Sequence, residues 1–151
     1  MSKLLKHEWN DRNVDWNEGD LQTAIATTLR KLELAGAPFT FAADQNGASV
    51  HRTKAEASRA KAQGMRAGEP DMRLYFSEGR LTSIELKAKL TQVSDEQVRR
   101  HKELRALGHD VRLIRAVTPQ DGVDEVLTII RAIEPGVTDD QVEVARNRNH
   151  G

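Results

Sequence analysis

The stretch that decides the fold is DMRLYFSEGRLTSIELK, residues 71–87. Met72, Leu74 and Phe76 alternate with Asp71, Arg73 and Tyr75, and Ile84 and Leu86 alternate with Ser83, Glu85 and Lys87. Alternation with a period of two marks strands that bury one face. Ser77-Glu78-Gly79 between the two runs predicts a three-residue hairpin connection with Gly79 in the left-handed region. That connection pairs Phe76 with Arg80, Leu74 with Thr82, Met72 with Ile84 and Asp71 with Glu85. The apolar side chains then stack on one face, and Asp71, Arg73, Ser83 and Glu85 share the other. A two-residue Glu78-Gly79 turn would set Asp71 against Leu86 and mix the faces. One slipped residue inverts a strand, so pattern and turn chemistry agree on the first register.

N-terminal to the hairpin, Asn17 with Asp20 three residues on predicts a capped helix. Leu21, Ile25, Leu29 and Leu32 recur along it at helical spacing, and Gly36 ends it. Phe39–Ala43 predicts a short strand closed by Asp44-Gln45-Asn46-Gly47, and residues 53–63 an alanine-rich helix ending at Gly64. C-terminal to the hairpin, the pattern predicts a helix over Ser94–Leu107 stopped by Gly108, a strand over Val111–Ala116 and a helix over Pro119–Ile133 capped by Thr118. The order α-β-α-β-β-α-β-α implies an α/β fold, a mixed sheet flanked by helices. Residues 1–16, with Trp9 and Trp16, read as a polar lead-in, 17–133 as one domain, and 134–151 as a frayed or loosely docked, flexible tail.

The 151 residues suit a single domain. Without cysteine there is no disulfide framework, thiolate zinc site or Cys nucleophile. Lys and Arg number 23 against 23 Asp and Glu, so a basic footprint has to be local. Two segments supply one. Residues 51–66 hold Arg52, Lys54, Arg59, Lys61 and Arg66 against Glu56 alone, and residues 99–115 hold Arg99, Arg100, Lys102, Arg105, Arg112 and Arg115 against Glu103 and Asp110. Flanking the acidic pair, they are expected to grip a phosphate backbone on either side of a cut site. Aromatic residues are only 4%, too few for a base-stacking platform, so the expected readout is backbone shape. No run approaches the length of a signal peptide's apolar segment or a membrane span, and a soluble intracellular protein is expected.

Two carboxylates directly opposed on a sheet repel each other. A divalent cation is the natural compensation, since Mg²⁺ is usually held by one or two carboxylates plus phosphate and water. Lys87, two residues from Glu85, would stand beside it as a point charge able to stabilise a phosphate or favour ionisation of a water. Two acids, one ammonium and a metal make a phosphodiester-hydrolysis site.

Pro70-Asp71 followed by Glu85-Leu86-Lys87 resembles the PD-(D/E)xK nuclease signature. More of the chain, roughly residues 17–118, is similar to one branch, the VRR-NUC domain. The matching elements are Glu18-Gly19-Asp20-Leu21-Gln22 on the first helix, the Asn46-Gly47 turn, Gly68-Glu69-Pro70-Asp71, and Ser94-Asp95-Glu96-Gln97 leading into a helix that ends at Leu107-Gly108. Many members carry a glycine where this chain has Leu90-Thr91-Gln92-Val93. The resemblance implies a restriction-endonuclease-like core and a Mg²⁺- or Mn²⁺-dependent nuclease. Asp71 and Glu85 would bind the metal, Lys87 would position or activate water, Glu18 would add a metal or water contact, and Gln97 would lie near the site. It further implies a homodimer acting on branched DNA such as four-way junctions, in the cytoplasm of a bacterial or phage-infected cell.

Plainer readings stand beside these. Glu18 suits the first turn of a helix whatever the function, and Gln97 completes a capping box with Ser94. Asp71 could cap a turn after Pro70, and Glu85 and Lys87 could be a solvated strand face. His7, His51, His101, His109 and His150 show no metal-ligand spacing and read as surface or DNA-proximal. The rival functions are a nucleic-acid-binding module that does not cut, and an assembly protein with a coincidental motif.

Overall fold

The computed structural model describes residues 16–44, 53–88 and 90–147. Asn17 caps helix α1 (Glu18–Leu34) in a reciprocal box with Asp20, and Gly36 leaves it at φ +86°. Strand β1 (Phe39–Ala43) follows, then helix α2 (Lys54–Ala62), boxed by Thr53 and Glu56. Strands β2 (Met72–Phe76) and β3 (Leu81–Ala88) form the hairpin. Helix α3 (Asp95–Ala106), strand β4 (Asp110–Ala116) and helix α4 (Pro119–Ile133) complete the expected order. The Asn46-Gly47 turn, Trp9, Arg52, His51, His7 and His150 lie outside the described residues.

The sheet order is β1-β2-β3-β4, antiparallel except for the parallel β3–β4 pair. Met72 faces Ile84 and Leu74 faces Thr82, the register that the alternation demands. The Phe76 amide bonds the Arg80 carbonyl at 2.9 Å and closes the three-residue turn. Both Glu78 (φ +62°) and Gly79 (φ +71°) are left-handed there, one residue more than the turn expectation held.

One face of this sheet carries the core. Met72, Leu74, Ile84, Leu86 and Ile114 are buried against Leu21, Ile25 and Leu29 of α1 and Val123, Val126, Leu127 and Ile130 of α4. Each such side chain contributes on the order of 1.5–3 kcal/mol by leaving water. The two helices cross closely at Gly122, where an added Cβ would lie 2.4 Å from Leu21 Cδ1. Trp16 packs on the edge of this cluster.

The flexible-tail expectation for 134–151 is corrected over its described part. Helix α5 (Asp139–Arg146) packs on α1 and buries Val142 and Ala145, and Val137 before it is buried as well. Thr138 and Gln141 form a capping box, and Gln141 Nε2 donates to the Ala35 carbonyl at 3.2 Å. Glu134 accepts from Ser77 Oγ at 3.0 Å and from Arg80 at 2.6 Å, tying the segment to the hairpin turn. Apolar burial and these bonds outweigh the breaking effect of Pro135-Gly136.

The opposite face of the sheet is covered by α3, which seats differently. Its only buried residue is His101. Polar contacts hold it: Gln97 and His101 to Glu85, Arg100 to Glu69, and Arg105 to the Val111 carbonyl at 2.8 Å.

Candidate active site

Strand alternation sends Glu85 and Lys87 to the face away from the core, under α3. Both are nevertheless buried, Glu85 to 1% and Lys87 to 6% exposure. Asp71 stands at the residue before β2, where the chain has just turned through Gly68-Glu69-Pro70. Asp71 Oδ2 accepts the Leu86 amide at 2.7 Å, which pins it across from β3. The Asp71 carbonyl accepts the Asp44 amide at 2.8 Å. From this position the Asp71 charge acts on the Glu85 carboxyl.

Gly68 makes that approach possible. Its φ is +80°, and a Cβ would lie 2.4 Å from the Glu96 carbonyl oxygen at the start of α3. Glu69 next to it bridges Arg73 at 3.0 Å and Arg100 at 2.8 Å. Arg73 continues to Asp44 at 3.1 Å, so alternating charges lace the segment before Asp71 to β2, β1 and α3.

Glu85 is gripped from two sides. Gln97 Nε2 donates to Oε1 at 2.6 Å, and His101 Nε2 lies 3.3 Å from Oε2. Gln97 at the same time accepts the Ser94 amide with its Oε1 at 2.9 Å. The capping role and the place beside the acids are therefore held by one side chain. Glu18 does double duty too. It lies in the first turn of α1, and its Oε1 is 3.4 Å from the Ala88 amide and 3.9 Å from Lys87 Nζ.

Burial raises the Asp71 carboxyl above its ordinary range, partly offset by the Leu86 amide. Burial and then the Asp71 charge push Glu85 up to about 9. Burial and the neighbouring charge thus oppose ionisation of both acids at once. Burial and the Arg105 charge hold His101 below the ordinary imidazole range.

The structure thus gathers Asp71, Glu85, Lys87, Glu18 and Gln97 around the exit of β3. His101 belongs with them, at 4% exposure, and the surface reading of this histidine is corrected. Its spacing from Gln97, one helical turn, was the available signal. Among the described residues, no group of three or more His, Cys, Asp or Glu side chains is arranged to hold a metal ion.

The basic residues divide. Lys54, Arg59, Lys61, Arg66 and Arg99 have exposed side chains, whereas Arg100 is engaged by Glu69 and by Glu103 at 3.3 Å. The two basic segments form walls of one groove of about 830 Å³ between α2 and α3, lined by Lys61, Arg66, Arg99 and Arg100 with Glu96 and Glu103. Residues 64–67 also line it, and the chain goes on from them to Gly68 and Asp71.

No protein-family model matches the chain, and no curated protein does. Two solved structures are similar to it. One, described as a VRR_NUC domain, is 20% identical at a TM-score of 0.46 over 74% of this chain and 94% of its own. The other, described as a VRR_NUC domain protein, is 18% identical at a TM-score of 0.47 over 78% and 87%. Among the described residues, no helix is long and apolar enough to cross a membrane.

Proposed function

We propose that the chain is a Mg²⁺- or Mn²⁺-dependent endonuclease that hydrolyses phosphodiester bonds in DNA, with branched duplexes such as four-way junctions as its preferred substrates. The observation that carries this reading is that Asp71 is bonded to the Leu86 amide, between the buried Glu85 and the buried Lys87. A pair of acids placed this way needs a shared proton or a cation in its place. The donors are hard carboxylate oxygens, two in number, which suits Mg²⁺ because it keeps waters and phosphate oxygens for its other positions. Asp71 and Glu85 would hold the ion. Glu18, already next to Lys87, would add a water contact or a third oxygen.

When bound, the ion supplies Lewis-acid polarisation of the phosphate and a lowered pKa for water. The chain's own groups do the rest. Lys87, buried and 3.9 Å from Glu18, would offset the negative charge that builds on the phosphate as a water oxygen attacks phosphorus in line and the bond to the 3′ oxygen breaks. Asp71 is oriented by the Leu86 amide and Glu85 by Gln97, so neither has to reorganise during the step. The exposed cations of α2, the 64–67 segment and α3 would neutralise backbone phosphates along the groove. The homodimer and the cytoplasmic setting rest on the family resemblance.

The test is a panel of labelled duplex, single-strand, flap and four-way-junction DNAs with Mg²⁺ or Mn²⁺. Cleavage that EDTA stops, that Mn²⁺ restores and that Lys87→Ala lowers by roughly 10²–10³-fold is the expected result. A second reading, a DNA-binding module that does not cut, draws on the fact that both Glu85 oxygens already have partners. It predicts a salt-sensitive gel shift, no nicks with either ion, and no effect of Lys87→Ala.

A further inference from the structure

We propose that His101 is a positioning residue for the metal site: its Nε2–H holds Oε2 of Glu85 while Gln97 holds Oε1, so that one face of α3 fixes the plane of the carboxyl that meets Asp71. This rests on the reading of Asp71 and Glu85 as metal ligands. Three observations support it. His101 Nε2 is 3.3 Å from Glu85 Oε2. The imidazole is at 4% exposure, on a helix that buries nothing else. Gln97 and His101 stand at i and i+4, so both side chains reach the same carboxyl from one helix face.

A carboxylate gripped at both oxygens has a defined rotation about its last torsion, and the lone pairs left over point in fixed directions. With one grip removed, that terminal torsion is broad. Partners of this outer kind typically change metal affinity by about 10–100-fold when lost. Gln97 alone would leave Oε2 free to turn about that torsion. A merely space-filling histidine would not need Nε2 on the carboxyl.

The experiment uses the full chain with two volume-filling substitutions, His101→Leu, which removes the donor, and His101→Gln, which keeps one at similar reach. Mn²⁺ affinity is read by electron paramagnetic resonance, and DNA cleavage by kcat and KM. His101→Leu is expected to weaken Mn²⁺ binding about tenfold and to lower kcat with KM for DNA unchanged. His101→Gln should recover most of both. Wild-type Mn²⁺ affinity in a folded His101→Leu protein would overturn the proposal. A long-range ¹H–¹⁵N spectrum of the metal-free wild-type protein decides the geometry independently. The Nε2–H tautomer is expected, and the Nδ1–H tautomer would overturn the proposal. If the wild-type protein binds no Mn²⁺ and cuts no DNA while the Nε2–H tautomer is present, the nuclease reading fails and the hold of His101 on Glu85 stands.

Discussion

Glu85 gives the fold a pH dependence at the site. In the unfolded chain Glu85 would lose its proton near the ordinary 4.5, whereas in the fold it keeps it up to about 9. Between those values the folded state binds a proton that the unfolded state has released, so metal-free stability falls as pH rises through that window. Asp71→Asn should make that slope shallower, while the burial of Glu85 keeps part of it. Asparagine keeps an oxygen for the Leu86 amide and turns an NH₂ towards Glu85, so the Asp71 charge no longer opposes ionisation of Glu85. We expect this variant in EDTA at pH 8 to be more stable than wild type by about 1–3 kcal/mol in urea denaturation. Its cleavage should fall by roughly 10²–10³-fold. Lower stability at pH 8 would show that the acids are not in conflict. How much of this was legible in the sequence differs by residue. The face shared by Asp71, Glu85 and Lys87 follows from strand alternation and a turn of known length. For His101 the sequence offers only its spacing of one helical turn from Gln97, because its burial comes from a strand that lies earlier in the chain.

At the scale of elements, boundaries were readable wherever a side chain closes its own helix. Asn17 with Asp20 and Thr118 with Asp121 form reciprocal boxes at the expected starts. Thr138 with Gln141 forms one too, and it was the overlooked sign of α5. Pro135, Gly136 and the two acids after them mask that sign, since the docking partner is α1, more than a hundred residues away in the chain. Long-range ion pairs are equally silent in the sequence. Arg100 reads as a phosphate grip by composition, yet Glu69 takes it. The segment between α2 and β2 is the element on which the site depends most. Gly68→Ala would place a methyl group 2.4 Å from the Glu96 carbonyl at a φ of +80°. A destabilisation of about 2–4 kcal/mol by urea denaturation is expected, together with weaker Mn²⁺ binding, because Asp71 would be displaced from β3. A fully stable Gly68→Ala protein with unchanged Mn²⁺ affinity would mean that this segment does not place the acid.

The whole molecule separates its tasks by sheet face. The apolar face, with α1, α4 and α5, carries the burial. Removing residues 134–151 takes away Val137, Val142 and Ala145 and the Glu134 tie to Arg80. Such a protein should lose roughly 4–6 kcal/mol, much of the 5–15 kcal/mol that holds a typical domain together, and calorimetry would show a broad early transition. A melting temperature equal to wild type would return these residues to the status of a tail. The other face has little apolar burial, and α3 stays there through polar contacts, Gln97 and His101 to the acid they orient, Arg100 to Glu69 and Arg105 to the Val111 carbonyl. A helix stuck down by grease is indifferent to ionisation beneath it. This one is fastened in part to a buried acid, so a change of charge there acts directly on two of the bonds that seat the helix. Under the nuclease reading, loading the site and seating its roof would share those same bonds.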